Sequence, residues 1–306
     1  METSTTSRFS HRGLLYRDEA EFAAVVGGFL ADASAGGAAT LAIVPGPHIE
    51  LLDATLGPGH RVEFLDAHTV GKNPARLMTE WARFVDRHPH APIAGVGQPY
   101  WRGRSRAECE EVLLSELLVG LALDHQRHLD FLCPYDVANP DGVEIAHATH
   151  PELHDTTERT NTWSDPIARA DSIFRQDLPP PPTDHWYLPF DTDLFYIREL
   201  VTKITEAAGL ALLADDAVFC VNELATNALV HGGGEGSIRI WLIPNGIAFE
   251  IEDSGRIDDP LVGRLPPVRP ASGGRGVWMV NQICDLVQIR SNDSGTKVRF
   301  RLLKRR

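Results

Sequence analysis

A polar, proline-rich interval from about residue 138 to 186, with Pro-Pro-Pro-Pro at 179–182, interrupts an otherwise regularly apolar chain of 306 residues. Few apolar residues recur with any period in it. It therefore cannot cover a core and reads as a linker, stiff where the prolines fall. The chain is expected to fold as two bodies, 1–158 and 186–306, with the linker over 159–185.

The segments on either side carry different periodicities. From 18 to 136, short apolar runs alternate with helical patterns. Helices are expected over 21–33, from Asn73-Pro74 to His88, and over 105–124; strands over 40–44, 61–66, 92–99 and 129–136. The strand "TLAIVPGP" is expected to run into a turn. Such alternation predicts a mainly parallel sheet covered by helices on both faces.

Beyond 186, Asp191 or Thr192 is placed to cap a helix carrying Leu194, Ile197, Val201 and Ile204. A second helix includes "CVNELATNALVHGGG" (220–234) and ends at the glycines. Two hairpins follow, 236–243 with 247–253 and 286–291 with 296–303, separated by a Pro/Gly/Arg-rich loop and a short helix over 277–284. Helices set apart from a hairpin-rich sheet predict a two-layer sandwich.

Glu223 and Asn227 are the chemistry-bearing residues of the second helix. Four residues apart, they share one face beside the apolar stripe of Val218, Val221, Leu224, Ala225, Ala228 and Leu229. Polar groups so placed need partners, in the protein or in a ligand. Asp253 ends a strand ahead of Gly255, Gly273, Gly274 and Gly276 precede a helix, and Thr296 follows Gly295. Glycines before a helix N-terminus let backbone N–H groups approach phosphates. The Asn227 carbonyl is a hard oxygen ligand of the kind Mg²⁺ prefers.

The ordered set E-x-x-x-N-A, D-x-G, G-G-R-G and G-T resembles the Bergerat (GHKL, HATPase) ATP-binding fold of gyrase and histidine kinases. The short domain with "NELATNALVHG" is most similar to the anti-sigma-factor serine/threonine kinases. The resemblance implies a two-layer α/β sandwich binding ATP and Mg²⁺. Asn227 would ligate Mg²⁺, and Asp253 would accept from the adenine amino group. Gly255 would let the base approach, and Thr296 would help hold it. Gly274 and Gly276 would form the phosphate lid, with Arg275 or Arg269 supplying charge. Glu223 would be the general base on a protein hydroxyl. It further implies a sigma factor and a STAS-type antagonist as partners, and a homodimer. Two positions depart from the pattern: Ile257 stands where many relatives have a second glycine, and Ser272 lies near where the kinases often carry arginine. A non-catalytic ATP-dependent switch and a gyrase-type ATPase stay open as alternatives, although no transducer domain follows residue 306.

The residues "FSHRGLLYRDEAEF" (9–22), "NPARL" (73–77), "GVGQPYW" (95–101) and "LCPYD" (132–136) resemble the MEDS sensory domain. This implies a RecA-like three-layer sandwich without a working P-loop. "PGPHIELL" after Val44 indeed lacks G-K-[ST], so no ATP hydrolysis is expected there. Ligands of open parallel sheets sit beyond the carboxyl ends of the strands, which points to His48, Gln98, Tyr100, Trp101 and Tyr135 as a pocket for a small molecule. A loop-fixing role for the same residues is the alternative. His11, Cys109, His125 and Cys133 follow no zinc spacing and read as scattered structural residues. "HDTTERTN" (154–161) lacks the apolar seam of a phosphoacceptor helix and reads as linker. His231 reads as a helix C-terminal residue, and Cys220 and Cys284 as core thiols.

The formal net charge of -13 argues against nucleic acid and anionic membranes as main partners. Four scattered cysteines, no apolar span and no signal-peptide core are what is expected of a cytoplasmic protein.

Overall fold

The computed structural model describes residues 9–123, 128–154, 165–267 and 275–304. The chain divides into two compact units, 1–169 and 170–306.

The first unit is a parallel six-stranded sheet between helical layers. Its elements are β1 (Phe9–Tyr16), α1 (Glu19–Ala35), β2 (Ala39–Val44), α2 (Gly46–Leu56), β3 (Val62–Asp66), α3 (Ala67–Val70), α4 (Ala75–Arg87), β4 (Ile93–Gly97), α5 (Arg106–Leu123), β5 (Leu129–Asp136), α6 (Pro140–Thr149) and β6 (Glu152–His154). The strand order is β3-β2-β4-β5-β1-β6, with every pair parallel. Alternation along the strands assigns the layers. Ala42, Val44, Leu14 and Tyr16 face Phe22, Val26, Leu30 and Leu52 of α1 and α2. Leu41, Ile43 and Phe131 face Trp81 and Phe84 of α4 and Val119 of α5. The sheet is buried on both faces, as its near-continuous apolar strands require.

Three stretches differ from the sequence reading. The turn expected after Val44 is the helix α2, entered directly from Pro45, whose φ of -54° suits a helix start. β1 lies between β5 and β6 and was not anticipated as a strand. The polar interval also folds, forming α6, β6 and α7 (Pro166–Phe174). These short elements bury few apolar side chains, Ile145 and Ala146 in α6, Leu153 in β6, Ala170 and Phe174 in α7. Residues 155–161 of "HDTTERTN" lie outside the described residues.

The second unit is a five-stranded antiparallel sheet under helices. It comprises β7 (Trp186–Phe190), α8 (Leu194–Ala207), a 3-10 turn (Ala211–Leu213), α9 (Ala214–His231), β8 (Gly236–Ile243), β9 (Gly246–Asp253), α10 (Arg275–Ile283), β10 (Leu286–Asn292) and β11 (Gly295–Leu303). The order is β10-β11-β9-β8-β7. The cap of α8 is Asp193, whose carboxylate accepts the N–H groups of Phe195 and Tyr196, rather than Asp191 or Thr192. The β8–β9 turn places Asn245 at φ 59°, a conformation asparagine tolerates better than most residues. Ile238, Ile240, Phe249, Ile251, Ile289 and Phe300 face Val201 of α8 and Cys220, Val221, Leu224 and Ala228 of α9. Cys220 and Cys284 are buried there as free thiols, their sulfurs 3.5 Å apart.

The opposite face is polar and strapped. Buried Glu250 accepts from Arg239 and Arg299 of the flanking strands, and Arg299 also donates to the Pro179 carbonyl at 2.6 Å. Lys297 pairs with Asp177 at 3.2 Å. Part of the expected linker is thus a strap on this unit, and Phe174 sits fully buried in its core. Phe174→Ala should destabilise the protein by about 3–5 kcal/mol. Denaturant unfolding followed by the melting of the C-terminal unit checks this, since a true linker residue would change nothing.

Candidate functional site

In the second unit, β9 ends where α9 ends. A Cβ on Gly255 would lie 2.6 Å from the Gly232 Cα and 2.7 Å from the His231 carbonyl, so the two backbones touch. Asp253 lies between them. Its Oδ1 accepts the Gly255 N–H at 2.7 Å, and a Cβ on Gly232 would come within 2.4 Å of that oxygen. Among the described residues Oδ2 has no partner, which leaves it as an acceptor. Burial raises the Asp253 pKa, the Gly255 N–H opposes this, and the charge of Glu252 adds to the rise.

β11 begins beside it. Thr296 is the cross-strand partner of Asp253 and is buried. Its hydroxyl donates to the Gly255 carbonyl at 2.8 Å, so Ser291, also at 2.8 Å, must donate to Thr296. Ser291 in turn accepts the Ile257 N–H at 2.8 Å. The chain Ile257–Ser291–Thr296–Gly255 pins the loop after Asp253. Gly295 has φ 125°, and a Cβ there would lie 2.1 Å from the Asp253 carbonyl, so only glycine brings β11 in so closely. Arg175 fastens the loop from outside, donating to the carbonyls of Ile257 at 2.9 Å and Ser291 at 3.1 Å.

Glu223 and Asn227 lie on α9, half-buried. Among the described residues neither side chain makes a hydrogen bond or ion pair. Gly276, in the first turn of α10, faces Glu223: a Cβ there would meet its Oε2 at 2.5 Å. A backbone stripped of side chains at a helix start, next to a carboxylate, suits phosphates, and the amide oxygen of Asn227 on the same helix as that carboxylate suits a hard cation. Arg275 is exposed at the same helix end. Gly274, Ser272 and Arg269 lie outside the described residues. His231 ends α9, exposed, as expected.

The structure therefore gathers Asp253, Gly255 and Thr296 at one end of the sheet, and Gly276 at Glu223. Sequence reasoning missed Ser291 and Arg175. Neither belongs to a motif; the available signal was that a D-x-G loop lacking its second glycine needs outside anchors. An open cleft of about 590 Å³ adjoins the other side of Asp253. Asp191, Glu235 and Glu252 line it, and such acidic walls disfavour a triphosphate, so the α9–α10 side is the better nucleotide site.

The first unit holds two polar clusters. His48 stacks on Phe22 with centroids 4.0 Å apart, and its Nδ1 is 2.7 Å from the Gln98 oxygen. Gln98 donates to the Tyr16 hydroxyl at 3.2 Å. Tyr100 packs against Gly142, and Trp101 lies under the Arg104 guanidinium at 3.5 Å. The five residues expected to form one pocket are thus split. Tyr135 belongs to the second cluster, donating to Glu116 Oε2 at 3.2 Å. There His11 lies 3.3 Å from Cys133 and 3.1 Å from His150, and both imidazoles approach Glu116, at 3.4 and 3.3 Å. Two of the four residues read as scattered, His11 and Cys133, therefore converge. Cys109 does not join them, and His125 lies outside the described residues. Burial pushes the Glu116 carboxyl up, but the neighbouring His11 and His150 imidazoles outweigh it and hold it well below its usual range. Burial, then the charge of His11, pushes His150 down. Burial, then Glu116, pushes the Cys133 thiol far up.

An antiparallel sheet with a carboxylate at its central strand end, an Asn-bearing helix above it and a glycine-opened helix start defines a Bergerat-type module. Comparison with known families agrees: residues 191–302 match the histidine kinase-like ATPase domain, and residues 10–151 match the MEDS domain (methanogen/methylotroph, DcmR sensory domain). The chain joins an N-terminal MEDS sensory domain to a C-terminal histidine kinase-like ATPase domain. No curated protein matches it.

Asp253→Asn tests the base-binding end. A raised pKa means that ionised Asp253 costs folding free energy, fully above its folded pKa and not at all below its unfolded one. At neutral pH the apo variant should therefore melt no lower than wild type, an advantage that fades towards acid. Its ATP affinity should nevertheless fall by about tenfold or more, as befits loss of a charged acceptor. Calorimetric titration and thermal scans over pH check both.

Proposed function

We propose that the protein is a cytoplasmic anti-sigma factor. It would bind Mg-ATP in the C-terminal domain and phosphorylate a serine or threonine of a STAS-type antagonist, under control of the MEDS domain. The observation that carries this is Glu223 set against the bare backbone of Gly276, with Asn227 one turn further along the same helix as Glu223 and neither side chain partnered among the described residues. The donor set suits the ligand. Asn227 offers a hard oxygen for Mg²⁺, Asp253 Oδ2 an acceptor for the adenine amino group, and the start of α10 its N–H groups for phosphate. When bound, Mg-ATP supplies the phosphoryl group and the metal charge that neutralises it.

In this reading Glu223 takes the proton of the substrate hydroxyl as its oxygen forms the new bond to phosphorus and the bond to ADP breaks. Arg275 lends positive charge at the same helix end. The loop pinned by Ser291, Thr296 and Arg175 keeps Asp253 rigid, and positioning of this kind is most of what phosphoryl transfer asks of a protein. A sigma factor is the proposed sequestered partner. The proposed homodimer is supported by an edge strand, β7, whose Trp186 and Tyr187 are exposed, as are Phe195 and Tyr196 of α8. No helix among the described residues is long and apolar enough to cross a membrane.

The test is capture of partners from host lysate with and without Mg-ATP, followed by mass spectrometry of their serines and threonines. Wild type should transfer phosphate to a captured protein. Glu223→Gln should keep Mg-ATP binding while transfer falls by about 10²-fold or more, and Asn227→Ala should lose both. ATP-dependent capture with no phosphate on any partner would replace the kinase by a nucleotide-driven switch. Hydrolysis without a protein substrate would favour the ATPase reading.

A further inference from the structure

The cluster in the MEDS domain draws one side chain from each of four elements. His11 comes from β1, Glu116 from α5, Cys133 from β5, and His150 from the residue that closes α6. His11 Nε2, His150 Nε2, one Glu116 oxygen and Cys133 Sγ all lie within 4.8 Å of one another. Four of their separations are 3.1, 3.3, 3.3 and 3.4 Å. Ligands bound tetrahedrally at zinc-like bond lengths stand roughly 3.3–3.8 Å apart, so the donor atoms already have nearly that spacing.

Hydrogen-bond accounting leads to the same place. Thr149 Oγ donates its only hydrogen to the Ile145 carbonyl at 2.8 Å. It can therefore only accept from His150 Nδ1, 2.8 Å away, as can the Ala146 carbonyl at 3.2 Å. The His150 proton is thus on Nδ1, and in the neutral ring Nε2 presents a lone pair to the cluster. That lone pair faces a carboxylate oxygen at 3.3 Å and a second imidazole nitrogen at 3.1 Å. Protons on His11 and Cys133 cannot bridge all these contacts, whereas one central cation satisfies every donor at once. The surroundings are those of metal ligands: a carbonyl fixes the His150 tautomer, and the Tyr135 hydroxyl steadies Glu116. Gly13, opposite Cys133 in the sheet, leaves room for the His150 ring, whose Cγ a Cβ there would approach to 3.1 Å.

We propose that His11, Glu116, Cys133 and His150 form a closed, four-coordinate site for a divalent transition metal, with Zn²⁺ as the best fit. Two imidazoles, a thiolate and a carboxylate balance the ion's charge, and binding releases the Cys133 proton. Four protein ligands leave no position for water, so the ion ties the sheet to α5 and α6 rather than performing hydrolysis. The side chains of His11 and Glu116 keep 8% and 11% exposure, which gives the ion a way in.

The test uses the full chain, reduced, stripped by chelation and titrated with Co²⁺ as a spectroscopic probe. Wild type should develop the intense visible bands of tetrahedral cobalt and a near-ultraviolet thiolate-to-cobalt band. Both should saturate at one ion per chain and be bleached by Zn²⁺. Cys133→Ser should lose the thiolate band, and His150→Ala should bind cobalt at least about tenfold more weakly. Cys109→Ser, altering a thiol outside the cluster, should titrate as wild type. Absence of a thiolate band in wild type, its persistence in Cys133→Ser or its loss in Cys109→Ser would each overturn the proposal. The wild-type titration is decisive even if a variant fails to fold, which circular dichroism would reveal.

Discussion

The C-terminal domain depends on the backbone contact between Gly232 and Gly255. β9 is the middle strand of its sheet, paired along its whole length with both β8 and β11, so its end cannot shift. α9 is the central helix of the layer above, fixed by a fully buried stripe from Ala217 to Ala228. Two rigid elements that converge at their C-terminal ends form a wedge, and a side chain at either glycine would force it open. Asp253 occupies the narrow end. One and two helical turns further back along α9 stand Asn227 and Glu223, the latter against Gly276 at the start of α10.

This geometry explains how much of the site could be read from the chain. Glu223 and Asn227 announce themselves because helical spacing is local, and Asp253 and Thr296 because strand ends are marked by Gly255 and Gly295. The hairpins were legible for the same reason. Arg175 and Ser291 were not, since their hydrogen bonds join segments far apart in sequence. Arg175 stands in a polar interval that looked like linker, and only the fold shows its carbonyl partners, Ile257 and Ser291. α6 and α7 escaped because each buries so few side chains that no apolar period is visible. α2 escaped because proline and glycine at its start have two readings, turn or first helical turn, and only tertiary packing of Leu52 decides.

The metal-like cluster shows the limit of spacing rules most clearly. Zinc patterns in sequence rely on ligands borrowed in pairs from one turn or hairpin. Here the ligands are single contributions from four elements, with His11 122 residues from Cys133 and 139 from His150. Parallel sheets create such distances by construction, because each neighbouring strand arrives only after a helical crossover. Four donors drawn from such distances can be recognised only after the strand order is known.

Strand order also separates the two polar clusters of the MEDS domain by role. His48 and Gln98 lie past the carboxyl ends of β2 and β4, where open parallel sheets present groups to incoming molecules. His11 and Cys133 lie within β1 and β5, beneath α5 and α6, where an incoming organic molecule would have to displace core side chains. The former position suits a reversible ligand and the latter an ion held for the life of the fold. The two meet at a cavity of about 20 Å³ lined by both Gln98 and Glu116.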